Sequence, residues 1–316
     1  MTKRAFMFPG QGSQYGGMGK DLADAFPEAR DIFGRVDEAL SQNLSALMFG
    51  GEDAELNLTE NTQPALMAMS LAVVEILKKQ GGIDPASCCA FMAGHSLGEY
   101  SALTAAGALQ LEDTARLLKI RGQAMQQAVP VGKGAMAAIL GLDFEDVKNI
   151  AAAASGAEIC AAANDNAPGQ VVVSGHKGAV EAAVAMATEK GAKKAVTLPV
   201  SAPFHCALMA PAADAMAAAL EQAVIRKPSV PIVANVIAAA VDDPDEIRRL
   251  LVEQVTGSVR WRESVMWMRA QGVDEMIELG AGKVLSGLVR RIDRDIAVNA
   301  AGTPEQIGEL IEKLKG

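Results

Sequence analysis

Histidine is scarce in this chain, three in 316 residues, so chemistry that needs an imidazole has few places to occur. Cysteine is scarce too: Cys88, Cys89, Cys160 and Cys206 follow no spacing that would ligate zinc or frame a disulfide-stapled fold. Cys88 and Cys89 adjoin in an expected strand, so their side chains point to opposite faces. All four thiols read as buried, in a reducing compartment. No uncharged apolar run approaches the roughly 20 residues of a membrane-spanning helix. The apolar stretch after Lys3 and Arg4 is too short for a signal peptide. These absences predict a soluble, cytoplasmic protein with no membrane partner. A formal charge of −9, with no basic stripe interleaved with aromatics, excludes nucleic acid. Aromatics are only 4% of a chain that is 50% hydrophobic, which describes an alanine-rich globule.

What is present alternates. Residues 4–8 read as a strand, followed by helical patterns around 18–22, 27–40 and 63–79. An apolar run at 88–93 reads as a second strand, with helices at 99–108 and 112–127. Strands alternating with helices predict a mainly parallel sheet covered by helices. Beyond Val129-Pro130 the order changes. Strands at 134–140, 158–163, 170–174 and 192–198, with helices at 144–154 and 179–190, give βαββαβ, the ferredoxin-like unit. The expectation is an α/β fold: a large hydrolase-like domain of residues 1–130 and 199–316, with a ferredoxin-like small domain, 131–198, inserted and a cleft between them. After the insertion come a helix at 207–224, a strand at 231–236, and helices at 245–254 and 260–271. A strand at 273–279, a helix at 284–292, a strand at 296–300 and a closing helix at 304–314 complete the chain.

Gly94-His95-Ser96-Leu97-Gly98 stands between the second strand and the helix that follows. Gly-x-Ser-x-Gly in that setting is a nucleophile elbow, a turn so tight that β-carbons at the glycines would clash. It sets the serine hydroxyl at a helix N-terminus, where free N–H groups can stabilise an oxyanion. A serine needs a proton acceptor, and three histidines compete. His95 is the serine's neighbour, so its side chain leaves the turn in another direction and reads as supporting the elbow. His176 lies in the polar turn Ser174-Gly175-His176-Lys177-Gly178 and is expected in solvent. His205 remains, in Val200-Ser201-Ala202-Pro203-Phe204-His205-Cys206, where a proline-fixed segment meets a helix. No carboxylate near it stands out as a third triad member, so a Ser–His dyad oriented by a backbone carbonyl is expected.

Arg121 has Leu117, Leu118, Ala124 and Met125 at three and four residues' distance, so it faces the interior. A buried guanidinium must be paired. Its partner is either an Asp or Glu of this chain or a carboxylate on a substrate, gripped bidentate; the sequence leaves both open.

These motifs, in this order, make the chain resemble the bacterial malonyl-CoA:acyl carrier protein transacylases almost end to end. Phe8-Pro9-Gly10-Gln11-Gly12-Ser13-Gln14, Thr62-Gln63-Pro64-Ala65, Gly94-His95-Ser96-Leu97-Gly98-Glu99, Pro203-Phe204-His205-Cys206 and Glu278-Leu279-Gly280-Ala281-Gly282-Lys283-Val284-Leu285 carry the likeness. Ala281 departs from the proline usual there; that turn is expected to be distant from the chemistry. The resemblance implies that Ser96 is the nucleophile, His205 the base and acid, and Arg121 the partner of the malonyl carboxylate. It also implies that the N–H groups of Gln11 and Leu97 form the oxyanion hole and that the Gln254 main-chain carbonyl orients His205. His95 and Gln63 have supporting roles, and Phe204 is placed to select against α-substituted acyl groups. The implied reaction is ping-pong malonyl transfer from malonyl-CoA to acyl carrier protein for fatty-acid synthesis. It uses no metal and no cofactor, coenzyme A thioester being a substrate. An acidic carrier protein suits the clusters Lys283, Arg290, Arg291 and Arg294, or Lys190, Lys193 and Lys194. The alternative is a serine esterase or thioesterase using the same elbow. An α/β-hydrolase, however, carries its histidine late in the chain, and here a third of the chain follows His205.

Overall fold

Phe6, Met7 and Phe8 are fully buried although they alternate faces, as a strand covered on both sides requires. In the computed structural model, which describes residues 2–200 and 202–316, that segment is the centre of the larger of two sheets. Among the described residues ten strands form, in chain order β1 (Arg4–Phe8), β2 (Phe91–Gly94), β3 (Gly134–Leu140), β4 (Cys160–Ala167), β5 (Gln170–His176), β6 (Lys194–Thr197), β7 (Ile232–Ala234), β8 (Ala239–Val241), β9 (Glu275–Leu279) and β10 (Ala297–Ala301). The larger sheet runs β10-β9-β1-β2-β7-β8, parallel except for the β7–β8 hairpin. The last pair of the β1–β2 ladder is Phe8–Gly94. The loops carrying Gln11 and Ser96 therefore leave the sheet side by side at its carboxyl edge, where open α/β sheets bind ligands.

The second sheet is antiparallel, β4-β5-β3-β6, the order of a ferredoxin-like unit. Helices Phe144–Ser155 and Lys177–Glu189 cover one face and share a core with Ile139, Val171 and Val173. Alternate residues Met136 and Val172 point the other way, into the main core. β4 continues beyond Ala163 through two register shifts, at Ala162/Asn164 and Asp165/Ala167, and bridges Val259 in parallel through Asn164. These bulges carry the polar run Asn164-Asp165-Asn166 to the large sheet's carboxyl edge.

Several expectations need correcting. Cys88 and Cys89 precede β2, after a 3₁₀ turn at Pro85–Ser87, and are half-buried thiols, not strand residues. β8 was not expected, because its connection turns on Ala238, with φ 52°, and has no glycine to announce it. Helices Leu44–Gly50 and Asp53–Leu56 were also unforeseen. His176 ends β5 half-buried, its Nδ1 accepting from the Ile159 N–H at 2.9 Å. The turn at Ala281 is not remote: Ala281 is buried, and a β-carbon on Gly280 would come within 3.2 Å of Pro9, in the loop that carries Gln11.

Two glycines offer a test of packing. A β-carbon on Gly122 would sit 2.5 Å from Cα of Glu60, where two helices touch, whereas one on Gly34 meets nothing. Gly122→Ala is expected to cost about 1–3 kcal/mol. Gly34→Ala, in the helix Pro27–Leu40, should gain up to about 1 kcal/mol. Urea unfolding of the two variants checks both signs.

Candidate active site

Gly94 and Gly98 are compulsory at the elbow. A β-carbon on Gly94 would lie 1.9 Å from the Gly98 carbonyl, and one on Gly98 would lie 2.2 Å from the Phe8 oxygen. Ser96 between them has φ 54°, a left-handed conformation that costs a non-glycine residue energy. Three hydrogen bonds hold it. The Ser96 N–H donates to Asn235 Oδ1 at 2.7 Å, Asn235 Nδ2 donates to Gly94 O at 2.7 Å, and Gln254 Nε2 donates to Ser96 O at 3.1 Å.

His205 is buried and also left-handed, at φ 58°. Its Nδ1 lies 2.9 Å from the main-chain carbonyl of Gln254, and its Nε2 lies 2.8 Å from Ser96 Oγ. A carbonyl only accepts, so Nδ1 carries the proton and Nε2 of the neutral ring is left to accept from the serine hydroxyl. Burial, reinforced by the Arg121 charge, pushes the imidazole down to about 3, which keeps it neutral. The segment before it is described except for Ser201, which lies outside the described residues.

Arg121 is 1% exposed. It donates from Nη1 to Gln63 Oε1 at 2.7 Å, and from Nη2 to Gln254 Oε1 at 2.9 Å and Ser96 Oγ at 3.1 Å. The Tyr100 ring lies 5.8 Å away. Among the described residues no Asp or Glu lies within ion-pair distance of its nitrogens. A buried cation held by neutral oxygens, beside an open cavity, is arranged to receive an anion.

The cavity holds about 160 Å³ and is lined by Gln11, Gln63, His95, Ser96, Leu97, Arg121, Phe204 and His205. The structure thus brings together eight of the nine anticipated site residues, with Gln254 directly behind them. The N–H groups of Gln11 and Leu97 donate to no described acceptor, and the side-chain oxygen of Gln11 accepts from the Thr59 hydroxyl at 2.9 Å. His95 turns away from Ser96: its Nε2 donates to Asn166 Oδ1 at 2.8 Å, tying the elbow to β4. Met125, Met136 and Phe204 supply apolar wall, and Gln63 Nε2 reaches Met125 Sδ at 3.7 Å. His176 takes no part. Lys283, Arg290, Arg291 and Arg294 are exposed, with Arg291 donating to Gln170 Oε1 of β5 at 2.6 Å.

Sequence reasoning missed Asn235, Glu99, Asn164 and Asn166. Glu99 was visible as part of the elbow motif, but its partners Asn235 and Gln254 stand more than a hundred residues away in sequence. Asn164 and Asn166 looked like the loop after a strand ending at Ala163; only the bulged register shows otherwise.

Fold and site together define the acyltransferase class. The profile of the acyl transferase domain family matches residues 5–301. The chain is 46% identical, over all of its length and 98% of the relative's, to malonyl CoA-acyl carrier protein transacylase of Bacillus subtilis. A crystal structure of acyl-carrier-protein-S-malonyltransferase from Bartonella henselae superposes with a TM-score of 0.97 at 53% identity, covering 100% of both chains. A malonyl-transacylase solved in complex with a type II polyketide acyl carrier protein matches with a TM-score of 0.95 at 42% identity, covering 99% of this chain and 100% of that one. The chain belongs to the acyl transferase family, among full-length relatives that are malonyl CoA-acyl carrier protein transacylases.

The neutral state of His205 has a kinetic consequence. Inactivation of Ser96 by a sulfonyl fluoride needs an unprotonated Nε2. An ordinary histidine near 6.5 loses roughly tenfold of its neutral form on descent to pH 5.5. With the imidazole pushed down to about 3, inactivation rates are expected to stay level from pH 8 to 5.5. A tenfold fall across that window contradicts the geometry.

Proposed function

We propose that the protein transfers malonyl from malonyl-CoA to the phosphopantetheine thiol of acyl carrier protein, through a malonyl ester on Ser96. The carrying observation is the convergence of two groups on one oxygen: His205 Nε2 at 2.8 Å and Arg121 Nη2 at 3.1 Å from Ser96 Oγ. His205 takes the hydroxyl proton as Oγ attacks the thioester carbonyl. The oxyanion collects the N–H groups of Gln11 and Leu97, each worth about 3 kcal/mol if removed. The tetrahedral intermediate collapses, the C–S bond breaks, and His205 returns the proton to the departing coenzyme A thiol. The carrier thiol then enters the same site, gives its proton to His205 and takes the malonyl group, leaving Ser96 protonated. The balance closes without oxidant, metal or cofactor.

Arg121 is the partner of the malonyl carboxylate in this reading, and Phe204 crowds the α-carbon and disfavours a methyl branch there. His95 and Gln63 support the elbow and the guanidinium. The chain divides into a large unit of residues 1–130 and 199–316 and a small one of 131–198, with the cavity between them. The exposed cations Lys283, Arg290 and Arg291, with the small unit's Lys190, Lys193 and Lys194, are the docking region for an acidic carrier. The cytoplasm is the proposed location and fatty-acid synthesis the proposed destination.

Incubation with labelled malonyl-CoA tests the function. A transacylase accumulates a covalent Ser96 adduct that carrier protein discharges faster than water does; an esterase or thioesterase releases free malonate instead. Ser96→Ala is expected to abolish labelling, and label at wild-type yield in that variant removes the nucleophile assignment. Arg121→Ala is expected to lower kcat/KM for malonyl-CoA by about 10²-fold or more, the scale of losing a buried charged partner. Acetyl-CoA should be much less affected, and an unchanged malonyl-to-acetyl ratio overturns that role. Reversing Arg290 and Arg291 to Glu is expected to raise KM for carrier protein severalfold at low salt, with the effect shrinking as salt rises. A KM unmoved across the salt series rejects that docking region.

A further inference from the structure

Behind the elbow lies a carboxyl group that the reaction above does not use. Glu99, in the first turn of helix Gly98–Ala105, is 3% exposed. Its Oε2 accepts from the Asn235 backbone N–H at 2.9 Å and from Gln254 Nε2 at 2.8 Å. Gln254 is the residue whose main-chain carbonyl holds His205 and whose side-chain oxygen holds Arg121. Asn235 fixes the Ser96 N–H. One carboxylate oxygen therefore anchors the Asn235 backbone and the Gln254 side chain, and these two residues between them position the nucleophile, the base and the cation.

We propose that Glu99 is a positioning residue for acyl transfer, and that it takes up a proton when a substrate carboxylate arrives on Arg121. The second half rests on the reading of Arg121 given above. Arg121, from helix Leu111–Gln127, is the cation whose charge acts on Glu99; Tyr100, on its own helix, is the other titratable group beside both. Asn235, just after β7, and Gln254, in the helix Pro244–Thr256, do not titrate, and His205 reaches the cluster through Gln254. Burial raises the carboxyl to about 7, against the pull of its two hydrogen bonds and of Arg121. In the empty cavity the Glu99 carboxyl is within electrostatic reach of Arg121 without pairing with it; a malonyl carboxylate brings a further anion to the same guanidinium. Like charges in one buried site do not both stay ionised, and the protein's own group, already near neutrality, is the one that protonates. The step forms one O–H bond with a proton from the buffer and breaks no other bond in the protein. Because Oε2 holds both hydrogen bonds, Oε1 is the seat of the proton, and the positions of Asn235 and Gln254 do not change. The site thus accepts a charged acyl group without leaving a net negative charge buried behind the nucleophile.

The test is calorimetric. Malonyl-CoA and acetyl-CoA are titrated at pH 7 into the Ser96→Ala protein, in two buffers of different ionisation enthalpy. Both ligands carry the same phosphates, so the difference between them isolates the carboxylate. With a carboxyl near 7, malonyl-CoA should take up about half a proton more than acetyl-CoA. Adding Glu99→Gln should abolish the excess while leaving malonyl-CoA bound. Equal uptake for the two ligands, or an excess that survives Glu99→Gln, overturns the proton coupling. If malonyl-CoA binds no better than acetyl-CoA, the reading of Arg121 fails, a separate outcome that removes the coupling with it. The positioning role has its own readout in transfer assays with Ser96 intact. Glu99→Ala should lower kcat by up to about 10²-fold, the scale of a misplaced catalytic group. KM should change less, and Glu99→Gln, which keeps an acceptor oxygen, should recover most of the loss at pH 7. Failure of the glutamine to rescue a folded protein, judged by an unchanged melting temperature, overturns that role.

Discussion

A hydrogen bond from the His205 ring to the main-chain oxygen of Gln254 decides what the rest of the site can do. Because that oxygen cannot donate, the ring's one proton stays on Nδ1 and its lone pair faces Ser96. Many serine enzymes use a carboxylate at this position, which also stabilises the charged imidazolium. Here the orienting group is neutral and Arg121 lies close by, so the imidazole is held strongly towards its neutral form. Such a ring is unprotonated, its lone pair available, across the neutral pH range. The imidazolium it becomes is short of stabilisation, which favours prompt return of the proton to a leaving thiol. That suits transfer between two thiols better than slow hydrolysis.

Gln254 ties the parts of this site together. Its backbone holds the base, its side-chain oxygen holds the cation, and its side-chain nitrogen holds the Ser96 carbonyl and Glu99. Full burial of this amide keeps water from competing for those bonds. Both residues of the reacting pair sit at positive φ, and each such conformation persists only when neighbours over-determine it. At Ser96 the over-determination comes from Asn235 and Gln254; the cost of the strained turn is met by the same bonds that aim the chemistry.

Much of this was legible in the chain. The elbow announces itself because two glycines are sterically forced within five residues, and His205 follows by elimination when only three histidines exist. Arg121 shows through the apolar residues around it on one helix face, although the sequence left its partner open until the structure put amide oxygens there. The βαββαβ order of the second sheet was readable from turn residues and alternation. What could not be read depends on contacts between distant segments. Glu99 meets Asn235 across 136 residues and Gln254 across 155, and no local pattern encodes either. β4 looked finished at Ala163 because Asn164-Asp165-Asn166 is loop-like in composition, and a bulged ladder has no short-range signature. His176 looked like a solvated turn because glycines flank it, yet its ring closes a backbone N–H at the end of β5.

Nitrogen-15 NMR of the His205 ring in the ligand-free protein tests the central claim most directly. The account predicts a proton on Nδ1 and a bare Nε2, unchanged from pH 8 to pH 5.5. A ring protonated on Nε2, or one that gains a second proton within that range, contradicts it.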